Sequence, residues 1–229
     1  IRRVRTEGAH AGWVVARNFV DSTANGNLSA LAGAEYALGR DRDKKMQPAT
    51  LTFKVTDIDF SKFTFPLPKG TVTTWDELNG VREELTVIYK QAKERCGLKL
   101  PREDVLCFPY PEDQKSLLFN QTRILGVDPT DAASVERGMV EGRGQIDDFM
   151  QVIQEHPAFR QARIESISKV LGIREGRRII GDYILTGEDC LGEARFEDMV
   201  AAGGYHLDIH SPDGEGTSLT PIPGSGYYH

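Results

Sequence analysis

The pattern of hydrophobic and polar positions predicts two long helices in the middle of the chain. The first is predicted over 75–96 and ends at Gly97, because apolar residues recur there at helical spacing and glycine favours a helix C-terminus. These residues are Leu78, Val81, Leu85, Ile88 and Tyr89. The second is predicted over 132–156, with Asp128 or Thr130 as its N-cap. Both helices lie between segments with the composition of strands.

The strand segments are short and rich in β-branched and aromatic residues. They are predicted at residues 1–5, 12–20, 49–58, 105–109, 116–127, 162–173, 178–186 and 205–210. A shorter helix is predicted over 28–38 after an N-cap at Asn27, with helical turns at 188–191 and 195–202. Residues 211–229 are rich in Pro, Gly and Ser, which predicts an irregular tail. The fold class is therefore α/β, of the α+β kind, with a middle more antiparallel than doubly wound.

Composition narrows the class of protein. The chain has 229 residues, of which 39% are hydrophobic and 27% charged, as in folded globular proteins. A net charge of −6 gives no reason to expect nucleic acid as a partner. No stretch approaches the roughly 20 apolar residues of a membrane span. The three cysteines are far apart, which favours free thiols and a reducing, cytoplasmic compartment. Because the sequence begins at Ile1 rather than Met, we expect the native N-terminus, with any targeting segment, to lie upstream.

A polar loop, Asp21-Ser-Thr-Ala-Asn-Gly-Asn27, is the first candidate for chemistry. It follows a predicted strand and precedes a helix, an arrangement that presents backbone N–H groups to a bound anion or sugar. Such loops more often only turn the chain, so ligand binding needs support from elsewhere in the sequence.

Alternation along the last predicted strand places His206, Asp208 and His210 on one face. Two imidazoles and a carboxylate are ligands of zinc or non-heme iron. Neighbours on one strand face are about 7 Å apart, too far for all three to reach one ion, which favours a polar face over a metal site.

Arginines cluster at Arg174, Arg177 and Arg178, between two predicted strands. Forked guanidinium donors suit a clamp on a substrate carboxylate, whereas the alternative is a hairpin turn with solvated charges. The sequence contains no Gly-x-Gly-x-x-Gly, Gly-x-Ser-x-Gly, His-Glu-x-x-His, Walker loop or Cys-x-x-Cys.

Taken in order, these segments resemble the FAD-dependent oxidoreductase family. That family has a strand ending in D-A-T-G-D-G-D, then A-G-A, Q-P-x-T-L-x-F, R-x-T-R-R-I-x-G-D-Y-x-L-T-x-x-D, R-F-x-D-x-I-A-x-G and x-I-D-I-H. The matching segments are 21–28, 32–34, Gln47–Phe53, Arg174–Asp189, 195–198 and Leu207–His210. The match covers nearly the whole chain, and its G-D-Y-x-L-T and D-I-H elements are the more specific ones.

The resemblance implies a Rossmann-like FAD domain interrupted by a mixed or antiparallel-sheet substrate domain with helices. Residues 1–48 belong to the FAD domain, 49–210 to the substrate domain, and 211–229 lead back to the FAD domain. The dinucleotide loop is expected before Ile1 and a second flavin segment after His229, so the remainder of the FAD domain is an expected partner, with a small-molecule substrate.

Carried over by position, Thr23, Ala24 and Gly26 lie along the FAD, and His210 and Arg178 lie nearest the flavin ring and substrate. The chain departs from the family at Ala24, Asn25, Asn27 and Gly176, where the family has Gly, Asp, Asp and often Thr.

The expected activity is hydride transfer from a small organic substrate to flavin, with the isolated piece inactive. The alternatives are a non-catalytic interaction or cap domain, and a metal-dependent enzyme that uses the His206, Asp208 and His210 face. The sequence does not give the substrate or the oligomeric state.

Overall fold

The computed structural model describes residues 1–98, 100–110 and 112–228. In chain order the strands are β1 (Arg3–Thr6), β2 (Gly12–Val15), β3 (Tyr36–Ala37), β4 (Phe53–Thr56), β5 (Cys107–Pro109), β6 (Leu117–Phe119), β7 (Arg163–Ile167), β8 (Arg178–Ile179), β9 (Leu207–His210) and β10 (Thr217–Thr220). The α-helices are α1 (Asn27–Leu31), α2 (Trp75–Cys96), α3 (Ala132–Ile153) and α4 (Gly187–Leu191). Two 3-10 helices span Phe60–Lys62 and Pro157–Phe159.

The hydrophobic core lies between a four-stranded antiparallel sheet and the two long helices. The sheet has the order β5-β6-β4-β7. Phe53 on β4 stacks on Phe119 on β6, with ring centroids 5.4 Å apart, and Phe149 on α3 contacts both rings. The ring centroid of Tyr89 on α2 lies 6.0 Å from that of Phe149. Aromatic rings from sheet and helices therefore join in one core.

Helix α2 forms over the predicted residues, because its ends are specified locally. Thr74 and Glu77 form a capping box at the N-terminus, and Gly97 takes the left-handed conformation after the last turn. Helix α3 is also confirmed, but the predicted caps are wrong. Asp131 is the N-cap and accepts a hydrogen bond from the Ala133 amide, whereas Asp128 binds the Thr130 hydroxyl.

The predicted helix 28–38 is much shorter than expected. Helix α1 ends at Leu31, and its N-cap is Gly26 in the left-handed conformation rather than Asn27. Tyr36 and Ala37 form β3, which pairs antiparallel with β8. A pairing across more than 140 residues thus replaces the second half of the helix, and no local pattern reveals it.

The arginine segment is not a hairpin turn. Strand β7 pairs with β4 in the central sheet, whereas β8 pairs with β3. Arg174–Arg177 therefore connect the central sheet to the N-terminal part of the chain. The predicted strand 178–186 is limited to Arg178–Ile179, because its other residues have no strand partner among the described residues.

The last part of the chain holds a second small sheet. Strand β9 pairs antiparallel with β10, so the predicted irregular tail contains a strand at Thr217–Thr220. Gly203 also forms a bridge with Tyr228. Helix α4 confirms the turn predicted at 188–191, whereas 195–202 form no helix.

The fold is α+β, as predicted. Every strand pair in the described ranges is antiparallel, and residues 1–48 form the β1–β2 hairpin, α1 and β3. A Rossmann-like FAD domain therefore stays a prediction. None of the described helices has the length and apolar character to cross a membrane.

Candidate functional site

The loop between Asp21 and α1 is held open by its own side chains. The Asp21 carboxylate accepts hydrogen bonds from the Thr23 amide, the Thr23 hydroxyl and the Ser29 amide. The bond from the Thr23 hydroxyl, followed by that from the Ser29 amide, lowers the pKa of Asp21. The Thr23 hydroxyl also accepts from the Asn27 amide at 2.7 Å. Thr23 and Ala24 are left exposed at the tip of the loop.

The arginine segment packs against this loop, so the structure unites two separate sequence candidates. Arg177 donates to the Asn27 side-chain oxygen at 2.7 Å and to the Asn25 carbonyl at 3.4 Å. Its guanidinium lies over the Tyr36 ring, 5.2 Å from the centroid. A Cβ at Gly26 would come within 2.8 Å of the Ile179 side chain, so glycine is needed there for contact with β8.

Two departures from the family pattern meet at this contact. A Cβ on Gly176 would lie 1.9 Å from the Asn25 side-chain oxygen. The family's Thr at position 176 would therefore collide with Asn25 in its present position. Gly176 removes that collision, so the two departures from the family pattern are compatible with each other. Asn25 meanwhile donates to the Pro129 carbonyl at 3.3 Å, which ties the loop to the segment before α3.

A cavity of about 460 Å³ opens beside the loop, lined by Asn27, Ala30, Leu31, Tyr36 and Arg177. The Asn25 side-chain oxygen and Arg177 Nε are buried nearby and have no hydrogen-bond partners among the described residues. Buried polar atoms are rarely left unpaired, because each unmade bond costs about 1–3 kcal/mol. Exposed loop backbone, unpaired polar atoms, an aromatic ring and a guanidinium suit a nucleotide cofactor.

Arg178 is engaged with the protein itself. It donates to the Gly39 carbonyl at 2.7 Å and forms an ion pair with Glu175. The other Glu175 oxygen accepts from the Gln47 amide at 3.0 Å, and the Gln47 side chain accepts from the His210 amide at 2.9 Å. Glu175 and Gln47 therefore connect Arg178 to His210.

His210 lies in a charged cluster at the edge of the central sheet. The His210 Nε2 atom is 3.3 Å from Asp208 Oδ1, which makes no hydrogen bond to any described residue. The His210 Nδ1 atom is 3.1 Å from the Thr217 hydroxyl. Arg174 donates to the Pro48 carbonyl at 2.7 Å and to the Thr50 hydroxyl. Arg123, only 4% exposed, donates to the Gly216 carbonyl.

These charges act on one another. Burial, together with the positive charges of Arg102 and Arg123, lowers the pKa of Arg174. Burial, and next the charge of Arg174, lowers the pKa of His210, while Asp208 opposes this change. His210 is therefore mainly neutral near pH 7, since its ordinary pKa is already about 6.5. A neutral imidazole beside guanidinium groups is available to accept a proton.

Sequence reasoning missed Arg102 and Arg123. Neither belongs to a matched motif, and they precede and follow the β5–β6 pair at a distance from Arg174 in the chain. One signal was present for Arg123, because it is the one charged residue within the predicted strand 116–127. No comparable signal marks Arg102.

His206, Asp208 and His210 do not lie in the arrangement that a shared metal site requires. Asp208 and His210 contact each other, whereas His206 is exposed, precedes β9 and lies beside Tyr205. No group of three or more possible ligands comes together in the part of the chain that the structure describes.

Comparison with known proteins agrees with the motifs. A family model described as FAD dependent oxidoreductase matches residues 1–229. The chain therefore belongs to the FAD-dependent oxidoreductase family, which confirms the resemblance found in the sequence. No curated protein and no solved structure matches the chain.

Proposed function

We propose that this chain supplies part of the FAD site and the reaction site of an oxidoreductase, in which a small organic substrate gives up a hydride to the flavin. One observation carries the proposal. The segment Arg174–Arg178 contacts the Asp21–Asn27 loop through Arg177, and through Glu175 it contacts Gln47, whose side chain accepts from the His210 amide. A single segment thus links a candidate cofactor loop to a candidate reaction centre.

The loop and its cavity are the proposed FAD contacts. The exposed backbone of Thr23 and Ala24 lies along the cofactor, and Gly26 keeps the loop against β8. Asn27 and Arg177 offer polar groups at the cavity wall and Tyr36 an aromatic surface. In these family members the bound FAD supplies the hydride acceptor.

His210 is the proposed proton acceptor. His210 would accept the O–H or N–H proton of a substrate alcohol or amine, while bound FAD would supply the acceptor for the C–H hydride. The lowered pKa favours the neutral imidazole before the reaction, and Asp208, whose Oδ1 lies 3.3 Å from His210 Nε2, stabilises the imidazolium formed. Arg178 and Glu175 fix the position of His210 through Gln47.

The division into two domains is also part of the proposal. Residues 49–210 form the substrate domain and residues 1–48 belong to the FAD domain. The first forty residues expose large apolar side chains that globular proteins usually cover. These are Trp13 at 58%, Val15 at 75%, Val20 at 87% and Leu31 at 87% exposure. We infer that they pack against the remainder of the FAD domain, without which residues 1–229 are inactive. Free cysteines suit a reducing cytoplasm.

The test is flavin binding by the protein at its natural length. We expect a yellow protein that retains FAD, and we expect Arg177→Gln to weaken FAD binding about tenfold by removing a charged contact. Arg163→Gln is the matched control, since Arg163 pairs with Asp57 on the exposed side of β7. A colourless protein that does not bind added FAD would disprove the function.

A further inference from the structure

We propose that Arg123 and Arg174 form a binding site for one carboxylate group of the substrate, beside His210. The inference rests on the proposed function in one respect, that the carboxylate belongs to the molecule being oxidised. Burial, hydrogen bonding and charge balance support the site itself.

The Arg123 side chain is buried, and the Arg174 side chain is half-buried. In the described ranges neither Arg123 nor Arg174 forms an ion pair with a carboxylate, and their acceptors are the neutral oxygens of Gly216, Pro48 and Thr50. Arg123 is 4% exposed, and its Nε is buried with no hydrogen-bond partner. A buried charge normally requires a paired counter-charge, because desolvation costs several kcal/mol per ion.

The acidic groups near the cluster are already engaged or exposed. Asp104 pairs with Arg102, and Glu215 pairs with Lys93 at 2.9 Å. Glu103 is exposed. Asp208 faces Arg174 and His210 from β9, and its Oδ1 has no hydrogen-bond partner within residues 1–98, 100–110 and 112–228.

Charge balance selects the class of ligand. Two guanidinium groups against the single Asp208 carboxylate, with His210 neutral, leave one positive charge unbalanced. One carboxylate balances it, whereas a phosphate ester with almost two negative charges exceeds it. The forked donors of arginine also match the two oxygens of a carboxylate. The bound group would lie beside His210, where a hydroxyl or amine on the adjacent carbon reaches Nε2. The substrate class is therefore a 2-hydroxy or 2-amino acid.

The loop between β9 and β10 is the proposed entrance. Gly216 in this loop covers Arg123, and both Gly214 and Gly216 have positive φ. The loop is tied to the rest of the protein by exposed ion pairs of Asp213 with Arg40 and Lys45. Exposed pairs are weak and exchange readily. A carboxylate that replaces the Gly216 carbonyl on Arg123 requires this loop to move, including Glu215, which pairs with Lys93.

The test compares the binding of propionate, as the carboxylate probe, with the binding of inorganic phosphate. Sodium chloride at equal ionic strength is the reference. The His210 imidazole is followed by NMR as a function of pH. We expect propionate to raise the pKa of His210, because it offsets the charge of Arg174, and to raise the thermal midpoint of the chain by a few degrees.

Arg174→Gln should itself raise the pKa of His210 without ligand and weaken propionate binding at least about tenfold. Arg123→Gln should likewise weaken propionate binding, and Arg123→Lys, which retains a buried cation, replaces it if Arg123→Gln fails to fold. Arg163→Gln, remote on β7, should bind propionate as the unmodified chain does. Binding that survives Arg174→Gln and Arg123→Lys, no binding of propionate, or tighter binding of phosphate would each overturn the proposal.

The flavin is absent from this experiment, so the two proposals fail separately. A protein that binds propionate but not FAD keeps the carboxylate site and loses the oxidoreductase assignment. If FAD added in a separate titration, rather than propionate, raises the pKa of His210 through Arg174 and Arg123, the cluster serves the flavin and the carboxylate site is disproved.

Discussion

Single side chains hold the buried arginines in place, and Gln145 is the clearest case. Its side-chain oxygen accepts from the Arg123 amide at 2.8 Å, and its amide nitrogen donates to the Arg123 carbonyl at 3.1 Å. The Gln145 side chain thus makes the two backbone hydrogen bonds that a neighbouring strand would make to Arg123, just beyond the end of β6. The position of the guanidinium follows from how its own backbone is fixed.

We expect Gln145→Ala to destabilise the protein by about 2–4 kcal/mol, since two buried backbone groups lose their partners. Urea unfolding monitored by circular dichroism measures the loss. Gln91→Ala on the exposed face of α2 is the control and should change stability by less than about 0.5 kcal/mol. Equal effects of the two substitutions would show that the Gln145 bonds contribute nothing.

The cysteines differ in reactivity for a reason of burial. Cys107 and Cys190 are buried and Cys96 is exposed. Burial raises the pKa of the Cys107 thiol to about 12, against an opposing effect of Arg82. We expect one thiol of the folded protein to react with a disulfide reagent at pH 8, and all three in denaturant. Rapid labelling of Cys107 in the folded state would contradict its placement.

At the scale of single elements, helix α3 carries glycines with opposite roles. A Cβ at Gly142 would lie 2.8 Å from Ile124 and 3.0 Å from Leu51, whereas Gly144 has open space. The absent side chain at Gly142 lets α3 approach the strand segments closely.

Gly144→Ala should stabilise the protein by about 0.5–1 kcal/mol, because alanine is the better helix former. Gly142→Ala carries the same helical gain, yet should destabilise the protein by about 1–3 kcal/mol through overpacking. Thermal unfolding of both variants measures the difference. A stabilised Gly142→Ala variant would mean that the helix and strand are not in the close contact described.

The same elements show what the sequence could predict. Helix α2 was predictable to the residue, because its capping box and terminal glycine are local signals. The second half of the helix predicted over 28–38 was not, because β3 is defined by its pairing with distant β8. The arginine cluster was likewise hidden, since Arg102, Arg123 and Arg174 come together only after the sheet and β9 have formed.

For the whole molecule, the core places a boundary within the chain. Every residue of the buried hydrophobic cluster lies between Ala49 and Leu171. The parts outside this range form small two-stranded sheets and short helices with many exposed apolar side chains. We expect this core to be independently stable within the proposed substrate domain of residues 49–210, and the segments on either side of the core to depend on it.

We expect a chain limited to residues 46–174 to fold with a single cooperative transition, because it keeps the sheet, both long helices and the whole core. Circular dichroism and urea unfolding measure this. The same chain should not bind FAD, since it lacks the Asp21–Asn27 loop. Failure of 46–174 to unfold cooperatively, while 1–229 does so, would show that the flanking parts belong to the core unit.

The segment Arg174–Arg178 links the proposed flavin site to the His210 cluster, and the visible absorption spectrum of the flavin tests that link. In the natural-length protein with FAD bound, propionate near His210 should perturb the visible flavin absorption, and Arg174→Gln should abolish the perturbation while FAD stays bound. A flavin spectrum that does not respond to propionate in the unmodified protein, although the pKa of His210 rises, would contradict it. The cluster would then lie apart from the flavin and could not be its reaction centre.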